Sequence, residues 1–206
     1  MTSARDHDGT AGVRPASTSD LPAVSLALAK AFADDPVKCF LIGKPHVEVD
    51  KSLPFFQAFG RMQHAHGHVY LTSGGEAAAV WAPPGHWKVP FAQIVKNTPT
   101  FLRLYGLRLV PNLGVLQTME KHHPTAPHYY LEFIGTDPAH QGKGLGSALI
   151  RPMVERADEE GVGMYLESSK ESNVAFYSRF GFQVTRTLQH RGKNAPTMWL
   201  MWRDPR

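Results

Sequence analysis

The sequence contains one cysteine, Cys39, and no long hydrophobic run. A single cysteine excludes an internal disulfide framework, and no apolar stretch approaches the ~20 residues that a membrane-spanning helix needs. The N-terminal residues, MTSARDHDGT, also lack the apolar segment of a secretory signal peptide. These absences predict a cytoplasmic protein without a membrane partner.

Dense blocks of basic residues are missing as well. The 206-residue chain has a formal charge of +4, but its Lys and Arg residues are scattered and do not alternate with aromatic residues. This pattern argues against a nucleic-acid partner and suits a small anionic ligand. Because 42% of the residues are hydrophobic and 19% are charged, we expect one ordinary globular domain over residues 13–206, after a flexible segment at 1–12.

Periodicity and turn residues predict an α/β protein. In the N-terminal half the predicted elements are a strand near 13–17, a helix over 18–35 with Ser19 as N-cap, a helical region over 48–67, two strands joined through 73–75, and a mainly helical region over 89–121 with breaks at Pro99 and Pro111. In the C-terminal half they are a strand over 128–138, a helix that ends near Glu160, a strand over 162–169, a helix over 172–180, and strands near 182–190 and 196–202.

The stretch HQGKGLGSALI, residues 140–150, has three alternating glycines that lead directly into a helical pattern. Such a turn exposes several backbone N–H groups at the positive end of a helix dipole, which favours a phosphate ligand. A nucleotide P-loop is excluded, because Asp137 stands where its first glycine is required and Gly144 stands where Ser or Thr would bind magnesium. A dinucleotide fingerprint fails because its third glycine is replaced by Ser147.

The remaining pattern, QGKGLG after a strand that ends in Asp-Pro, resembles the coenzyme A signature of the GNAT acetyltransferases. IGTDPAHQGKGLGSALI and, about thirty residues later, NVAFYSRFGF look like both acetyl-CoA motifs of that superfamily. More narrowly, AFADDP, AAAVWAPP and residues 127–182 are similar to puromycin N-acetyltransferase and its actinobacterial and fungal relatives. The match is weak over 44–70 and 86–126, where we expect acceptor contacts. The resemblance implies a GNAT fold, with a mixed, mostly antiparallel sheet that splays between its fourth and fifth strands and is flanked by helices.

The resemblance also implies which residues hold acetyl-CoA. The backbone of Ile134, Gly135 and Thr136 would bind the pantetheine arm, and Asn173 and Phe176 would contact the cofactor. Backbone amides from Gly142 to Ser147 would bind the pyrophosphate, and Gln141 would brace the turn. The residues of this loop are Gly142, Lys143, Gly144, Leu145, Gly146 and Ser147. Glycine at 144 and 146 would let the backbone approach phosphate without an intervening Cβ.

Acetyl transfer from a thioester to an amine needs a proton for the leaving thiolate and a neutral nucleophile. Tyr177 is the predicted general acid: it lies four residues after Asn173, on the same helical face, and it would contact the cofactor as well. Two carboxylates are candidates for the general base. Glu132 shares a strand face with Ile134 by two-residue periodicity, whereas Glu167 lies in YLESS and matches the puromycin family. Water remains a third route for the proton.

Further predictions concern the acceptor site, the cysteine and the histidines. Asp35 and Trp81 are predicted to contact the acceptor amine, while Cys39 is either a buried apolar residue or an acetyl-carrying nucleophile. His122 and His123 are expected to be exposed loop residues. The His64, His66 and His68 cluster lacks the ligands that would complete a zinc site, and we expect no metal.

Three functions are compatible with the sequence. The first is an acetyl-CoA-dependent acyltransferase that acts by direct attack of a small-molecule amine, including antibiotic-like amines. The second is an acetyltransferase of protein lysines or N-terminal amines, and the third is a non-catalytic acetyl-CoA sensor. Both a monomer and a homodimer are compatible with the sequence.

Overall fold

The computed structural model describes residues 12–189 and 195–206. The segment that we expected to be flexible, 1–12, lies outside these ranges except for its last residue. The strands are β1 (Val13–Pro15), β2 (Val69–Thr72), β3 (Ala77–Ala82), β4 (His128–Thr136), β5 (Gly163–Ser168), β6 (Gln183–Gln189) and β7 (Thr197–Arg203). The helices are α1 (Leu21–Ala31), α2 (Pro36–Ile42), α3 (Val49–His64), α4 (Phe91–Tyr105), α5 (Leu109–His122), α6 (Leu145–Glu160) and α7 (Ser172–Ser178).

The strands form one seven-stranded sheet in the order β1-β2-β3-β4-β5-β7-β6. All neighbours are antiparallel except β4 and β5, which run parallel. These two strands pair only from His128↔Gly163 to Leu131↔Leu166. Beyond that point β4 continues to Thr136 against β3 alone, while β5 continues against β7. The splayed, mostly antiparallel α/β fold that we expected is therefore confirmed.

Helices cover both faces of the sheet. On one face, α6 buries Leu149, Ile150 and Met153 at helical spacing against strand residues that include Leu131. On the other face, α1 and α3 pack Leu28 and the fully buried Phe56 against the sheet. Each fully buried side chain of this size contributes ~1.5–3 kcal/mol to folding, so the two cores fix the helices on the sheet. No helix in the described ranges is both long and apolar enough to cross a bilayer.

A β-bulge at Glu132 changes which side chains share a face of β4. Val80 of β3 pairs with Phe133, whereas the next residue, Trp81, pairs with Leu131, so that Glu132 is the extra residue. Such an insertion shifts the alternation of side chains by one position. Ile134 therefore faces the α6 core, while Glu132 points toward α3. The prediction that Glu132 and Ile134 share a face is wrong for this reason.

The helical part of the N-terminal half also differs from the expectation. The predicted helix over 18–35 ends at Ala31, and a second helix, α2, which the sequence analysis missed, begins at Pro36. A capping box of Ser17 and Asp20 begins a short 3-10 turn, Thr18–Asp20, and Asp20 rather than Ser19 is the N-cap of α1. The break between α4 and α5 falls at Gly106, with φ 54°, and not at Pro99 or Pro111.

Candidate active site

The glycine loop leads into the N-terminus of α6, as the sequence predicts. Gly142 and Gly144 have φ angles of 78° and 77°, a left-handed conformation that other residues adopt only with strain. Gly144 is the N-cap of α6 and offers no side chain to its first amides. The first amides of a helix have no hydrogen-bond partner within the helix, so those of α6 are free to bind a ligand at this loop. The positive end of the helix dipole lies at the same place. The arrangement is a backbone anion site, next to the exposed Lys143 and the partly exposed Ser147.

Gly146 is needed for a different reason. A Cβ at this position would lie 3.3 Å from Cζ of Phe176, so glycine lets α7 approach the first turn of α6, which begins with the buried Leu145. The predicted brace of the loop is present, since Gln141 Nε2 donates to the Thr136 carbonyl oxygen at 3.4 Å. The loop, the end of β4 and α7 are therefore held together.

The end of β4 borders the splay. Residues 133–136 pair with β3 on one side and have no β5 partner on the other, so the edge from Ile134 to Thr136 is open to a ligand, while the Thr136 carbonyl oxygen accepts from Gln141. Gly135 lies against α1, where a Cβ would come within 2.5 Å of the Ala31 Cβ. The splay therefore offers a strip of unpaired backbone immediately before the anion site.

Tyr177 lies on α7, in the core on the α6 side that also contains Leu131 of β4 and Leu166 of β5. Its side chain is 7% exposed and contacts the rings of Phe176 and Phe182. Its hydroxyl makes no hydrogen bond within the described ranges. Burial, and secondarily the charge of Asp35, raises the pKa of Tyr177 above its usual value, so the phenol keeps its proton. Asn173 lies one turn earlier on α7 and is partly exposed.

Glu132 points into the opposite side of the splay, where Gln63 of α3 meets it. Gln63 Nε2 donates to Glu132 Oε1 at 2.8 Å. The second carboxylate oxygen of Glu132 and the amide oxygen of Gln63 are buried without a partner in the described part of the chain. Burial raises the pKa of Glu132 to about 8, and the hydrogen bond from Gln63 opposes that rise. This carboxyl group therefore exchanges its proton close to neutral pH.

Glu167 is bound more completely. It accepts hydrogen bonds from the hydroxyl of Tyr130 at 2.7 Å and from the hydroxyl of Tyr165 at 3.0 Å, one on each carboxylate oxygen. Burial raises the pKa of Glu167, whereas both tyrosines act to lower it. Because both oxygens are already occupied, Glu167 is well suited to fix the two strands and less suited to accept a proton from a substrate.

Asp35 connects the start of α2 to the loop before α7. Its Oδ1 accepts from the Lys38 backbone N–H at 2.8 Å, and its Oδ2 accepts from the Ser169 hydroxyl. The adjacent Asp34 pairs with Lys170 at 2.9 Å. Asp35 is only 6% exposed, so it caps a helix and anchors the segment beside Tyr177 rather than lying at a solvated helix end.

Cys39 is buried on α2, and its thiol donates to the carbonyl oxygens of Ala33 at 3.6 Å and Pro45 at 3.5 Å. Burial raises its pKa, which keeps the thiol protonated. Trp81 is fully buried in the core on the α6 side, opposite Glu132. The interpretation of Trp81 as an acceptor contact is therefore corrected, because its ring is enclosed.

The three histidines of the predicted cluster lie apart from one another and have different partners. His64 bonds the Ala16 carbonyl at 2.9 Å, His66 contacts the His86 ring, and His68 lies against Tyr129. No group of three side chains able to hold a metal occurs among the described residues. His123, which we expected to be exposed, is instead buried, since it stacks on Trp87 at 3.7 Å between ring centroids and bonds His128.

Gln63 is 69 residues away from Glu132 and Ser169 is 134 residues away from Asp35, so neither residue was predicted as part of the site. Nothing local marks either residue. Tyr165 is a partner with a local signal, because it lies two positions before Glu167 on the same strand and shares its face.

Comparison with known proteins is consistent with this geometry. The model of the Acetyltransferase (GNAT) family matches residues 106–182, a stretch that contains β4, the glycine loop, β5 and α7. The uncharacterized N-acetyltransferase C550.08 of Schizosaccharomyces pombe is 26% identical over 208 residues, covering 90% of this chain and 80% of the relative.

Two solved structures extend the similarity across the fold. The histone acetyltransferase HPA2 and related acetyltransferase of Corynebacterium glutamicum aligns with a TM-score of 0.69 and 25% identity, covering 94% of this chain and 96% of that chain. Arylalkylamine N-acetyltransferase 2 of Aedes aegypti shares the fold with a TM-score of 0.66 at 13% identity, and the alignment covers 93% of this chain and 97% of that chain.

Proposed function

We propose that this chain, which by fold and family match is a GNAT N-acetyltransferase, transfers an acetyl group from acetyl-CoA directly to the primary amine of a small molecule. The observation that carries the proposal is the convergence on one splay of a backbone anion site, a buried phenol and a buried carboxyl that titrates near neutral pH. Each of these meets one requirement of acyl transfer from a thioester.

The residues at the splay fit acetyl-CoA. The first amides of α6 and the loop from Gly142 to Ser147 would hold the pyrophosphate, because they form an anion site without a side-chain cap. The unpaired edge from Ile134 to Thr136 would hold the pantetheine arm, with Asn173 and Phe176 beside it. When bound, acetyl-CoA supplies an activated acetyl thioester.

Glu132 is our choice for the general base. An amine is mostly protonated at neutral pH and attacks only after it loses that proton. Glu132 has one free, buried oxygen and a pKa of about 8, so its ionised form accepts a proton in the working range. Glu167, whose two oxygens both accept from tyrosines, is the second candidate, and water can relay the proton to either.

Tyr177 is our choice for the general acid. Its phenol keeps its proton because burial raises its pKa, and its hydroxyl is not bound elsewhere in the described chain. The proton can therefore pass to the thiolate that leaves when the acetyl group is transferred. Cys39 takes no part in this scheme, because its thiol is buried and donates to two carbonyl oxygens.

Two observations support a small amine as the acceptor. The fold matches an arylalkylamine N-acetyltransferase, and AFADDP and AAAVWAPP resemble puromycin N-acetyltransferases, which favours antibiotic-like amines. The similarity to the C. glutamicum structure described as a histone acetyltransferase favours a second candidate, acetylation of a peptide lysine.

The proposal is tested by mixing purified protein, acetyl-CoA and either small primary amines or lysine peptides. Thiol release and an N-acetylated product by mass spectrometry are expected with the small amines. Glu132→Gln should lower the rate most strongly above the pKa of Glu132, about 8, where the wild-type carboxylate is ionised while most of the amine is still protonated. Acetylation of peptides alone would move the function to the second candidate, and an unchanged rate in Glu132→Gln would remove Glu132 as the base.

A further inference from the structure

A cluster of aromatic rings lies beside Glu132, on the side of the sheet away from α6. Phe133 is its centre, with ring centroids 5.3 Å from Phe59, 5.3 Å from Phe56 and 5.8 Å from Phe55. Phe55 continues the cluster to Phe101, at 6.3 Å. We call the four partly exposed members, Phe55, Phe59, Phe101 and Phe133, the ring cluster.

The bulge in β4 joins the ring cluster to the proposed base. Because Glu132 is the extra residue, its side chain and that of Phe133 both point toward α3. On α3, Phe55, Phe59 and Gln63 recur every four residues and so occupy one helical face. The rings and the Glu132–Gln63 pair therefore line the same place.

The ring cluster differs from the buried core next to it. Phe56 is 1% exposed and belongs to the core of α1, α3 and the sheet, whereas the four members of the ring cluster keep part of their surface accessible. Exposed ring edges beside a base offer contact area to an apolar or aromatic body. Tilted and edge-to-face aromatic pairs are stabilised beyond the burial of their apolar area, so an aryl group is favoured over an alkyl chain.

Two buried oxygens beside the ring cluster can accept hydrogen bonds from the amine nitrogen. Glu132 Oε2 and Gln63 Oε1 are both buried oxygens without a hydrogen-bond donor in the described chain. A primary amine carries enough N–H groups to satisfy both oxygens, whereas leaving them unpaired is costly in a buried site. Because both oxygens are buried, neighbouring side chains must move aside when the amine binds.

The surface beyond the ring cluster is positively charged, so it disfavours an acceptor that has a second cationic group. Beyond Tyr105, whose ring contacts Phe55, a cavity of about 240 Å³ is lined by Lys44, His46, Lys51 and Arg103. The one acidic residue on its wall, Glu48, is paired with Lys51 at 3.1 Å. A diamine or a guanidino amine that extended toward this rim would place its second positive charge against like charges.

From these features, and resting on the proposed function, we infer that the acceptor is an aromatic primary monoamine, with its ring on the ring cluster and its nitrogen between Glu132 and Gln63. The inference names a substrate class that neither the family match nor the fold determines. Gln63 and Phe59 become specificity-determining residues for the acceptor.

The test is a thiol-release assay of the full chain with acetyl-CoA and matched amines. The panel contains 2-phenylethylamine, hexylamine, N-methyl-2-phenylethylamine, putrescine, agmatine and a lysine peptide. We expect kcat/KM for the aryl primary amine to exceed that for the diamine and the guanidino amine by roughly 10² or more, and that for its N-methyl analogue by at least ~10-fold.

The matched variants are Phe59→Leu, which keeps an apolar side chain of similar volume, and Phe91→Leu on α4, where Phe91 is 79% exposed. Phe59→Leu should lower kcat/KM for 2-phenylethylamine by roughly 10-fold, with little change for hexylamine, while Phe91→Leu should change neither. Stabilisation by coenzyme A in a melting experiment verifies that each variant is folded.

The outcomes separate the two proposals. Faster turnover of putrescine, agmatine or the lysine peptide than of the aryl amine would overturn the inference and leave acetyl transfer intact. Equal losses for 2-phenylethylamine and hexylamine in Phe59→Leu would also overturn it. Absence of thiol release with every amine would overturn the proposed function, and this inference with it.

Discussion

Replacing Gln63 by leucine is expected to move the pH–rate profile to higher pH without removing the base. Gln63 donates the one hydrogen bond that Glu132 accepts in the described chain, and this bond favours the ionised carboxylate. Without it the pKa of Glu132 rises above its present value of about 8, and less of the base is ionised at pH 7. The rate at neutral pH should therefore fall by more than the rate at high pH, where Glu132 is ionised in both proteins.

The size of the effect follows from the hydrogen bond. A hydrogen bond to a charged group contributes ~1.5–3 kcal/mol, and 1.36 kcal/mol corresponds to one pKa unit, so the midpoint should rise by roughly one to two units. At pH 7 this lowers the ionised fraction of Glu132, and with it kcat/KM, by roughly 10- to 100-fold. The neighbouring titratable groups Tyr130 and Glu167 keep their own hydrogen bond in this variant.

The assay is kcat/KM between pH 6 and 10 with one amine for both proteins, so that ionisation of the amine is common to both profiles. Gln57→Leu is the matched control, because Gln57 lies on the same helix and makes no hydrogen bond in the described chain. An unchanged midpoint would refute this role of Gln63, because loss of its contact with the amine lowers the rate equally at every pH and leaves the midpoint in place.

Three further predictions concern the other groups of the site. Tyr177→Phe should lower kcat by roughly 10² or more with an unchanged affinity for coenzyme A, measured calorimetrically, and a wild-type rate would reduce Tyr177 to a packing residue. Gly144→Glu should abolish the rise in melting temperature that coenzyme A causes, because it adds strain at a left-handed φ and a negative charge at the anion site; unchanged binding would contradict the loop assignment. Cys39→Ser should keep activity, and loss of turnover together with an acetyl group on wild-type Cys39 by mass spectrometry would show a covalent mechanism instead.

Features that depend on neighbours along the chain were predictable. The glycine loop and the start of α6 follow from Gly142 and Gly144, because a left-handed residue and an uncapped helix N-terminus are local properties of the backbone. The strands β2 to β5 follow from apolar runs bounded by turn residues. The break after α4 was misplaced because Pro99 is accommodated within the helix, and Gly106 ends it.

The sequence by itself determined the order of the strands, the anion-binding loop and the spacing that puts Asn173 and Tyr177 on one face of α7. Only the tertiary structure decided the surroundings of the candidate base. One extra residue in β4 turned Glu132 toward α3, Gln63 reached it from 69 positions away, and Trp81 was enclosed in the opposite core. The physical reason is that side-chain direction in a sheet depends on register with the neighbouring strand, and the partner of a buried polar group depends on how helices pack over that strand. The local periodicity of the sequence gives neither the strand register nor the packing of the helices.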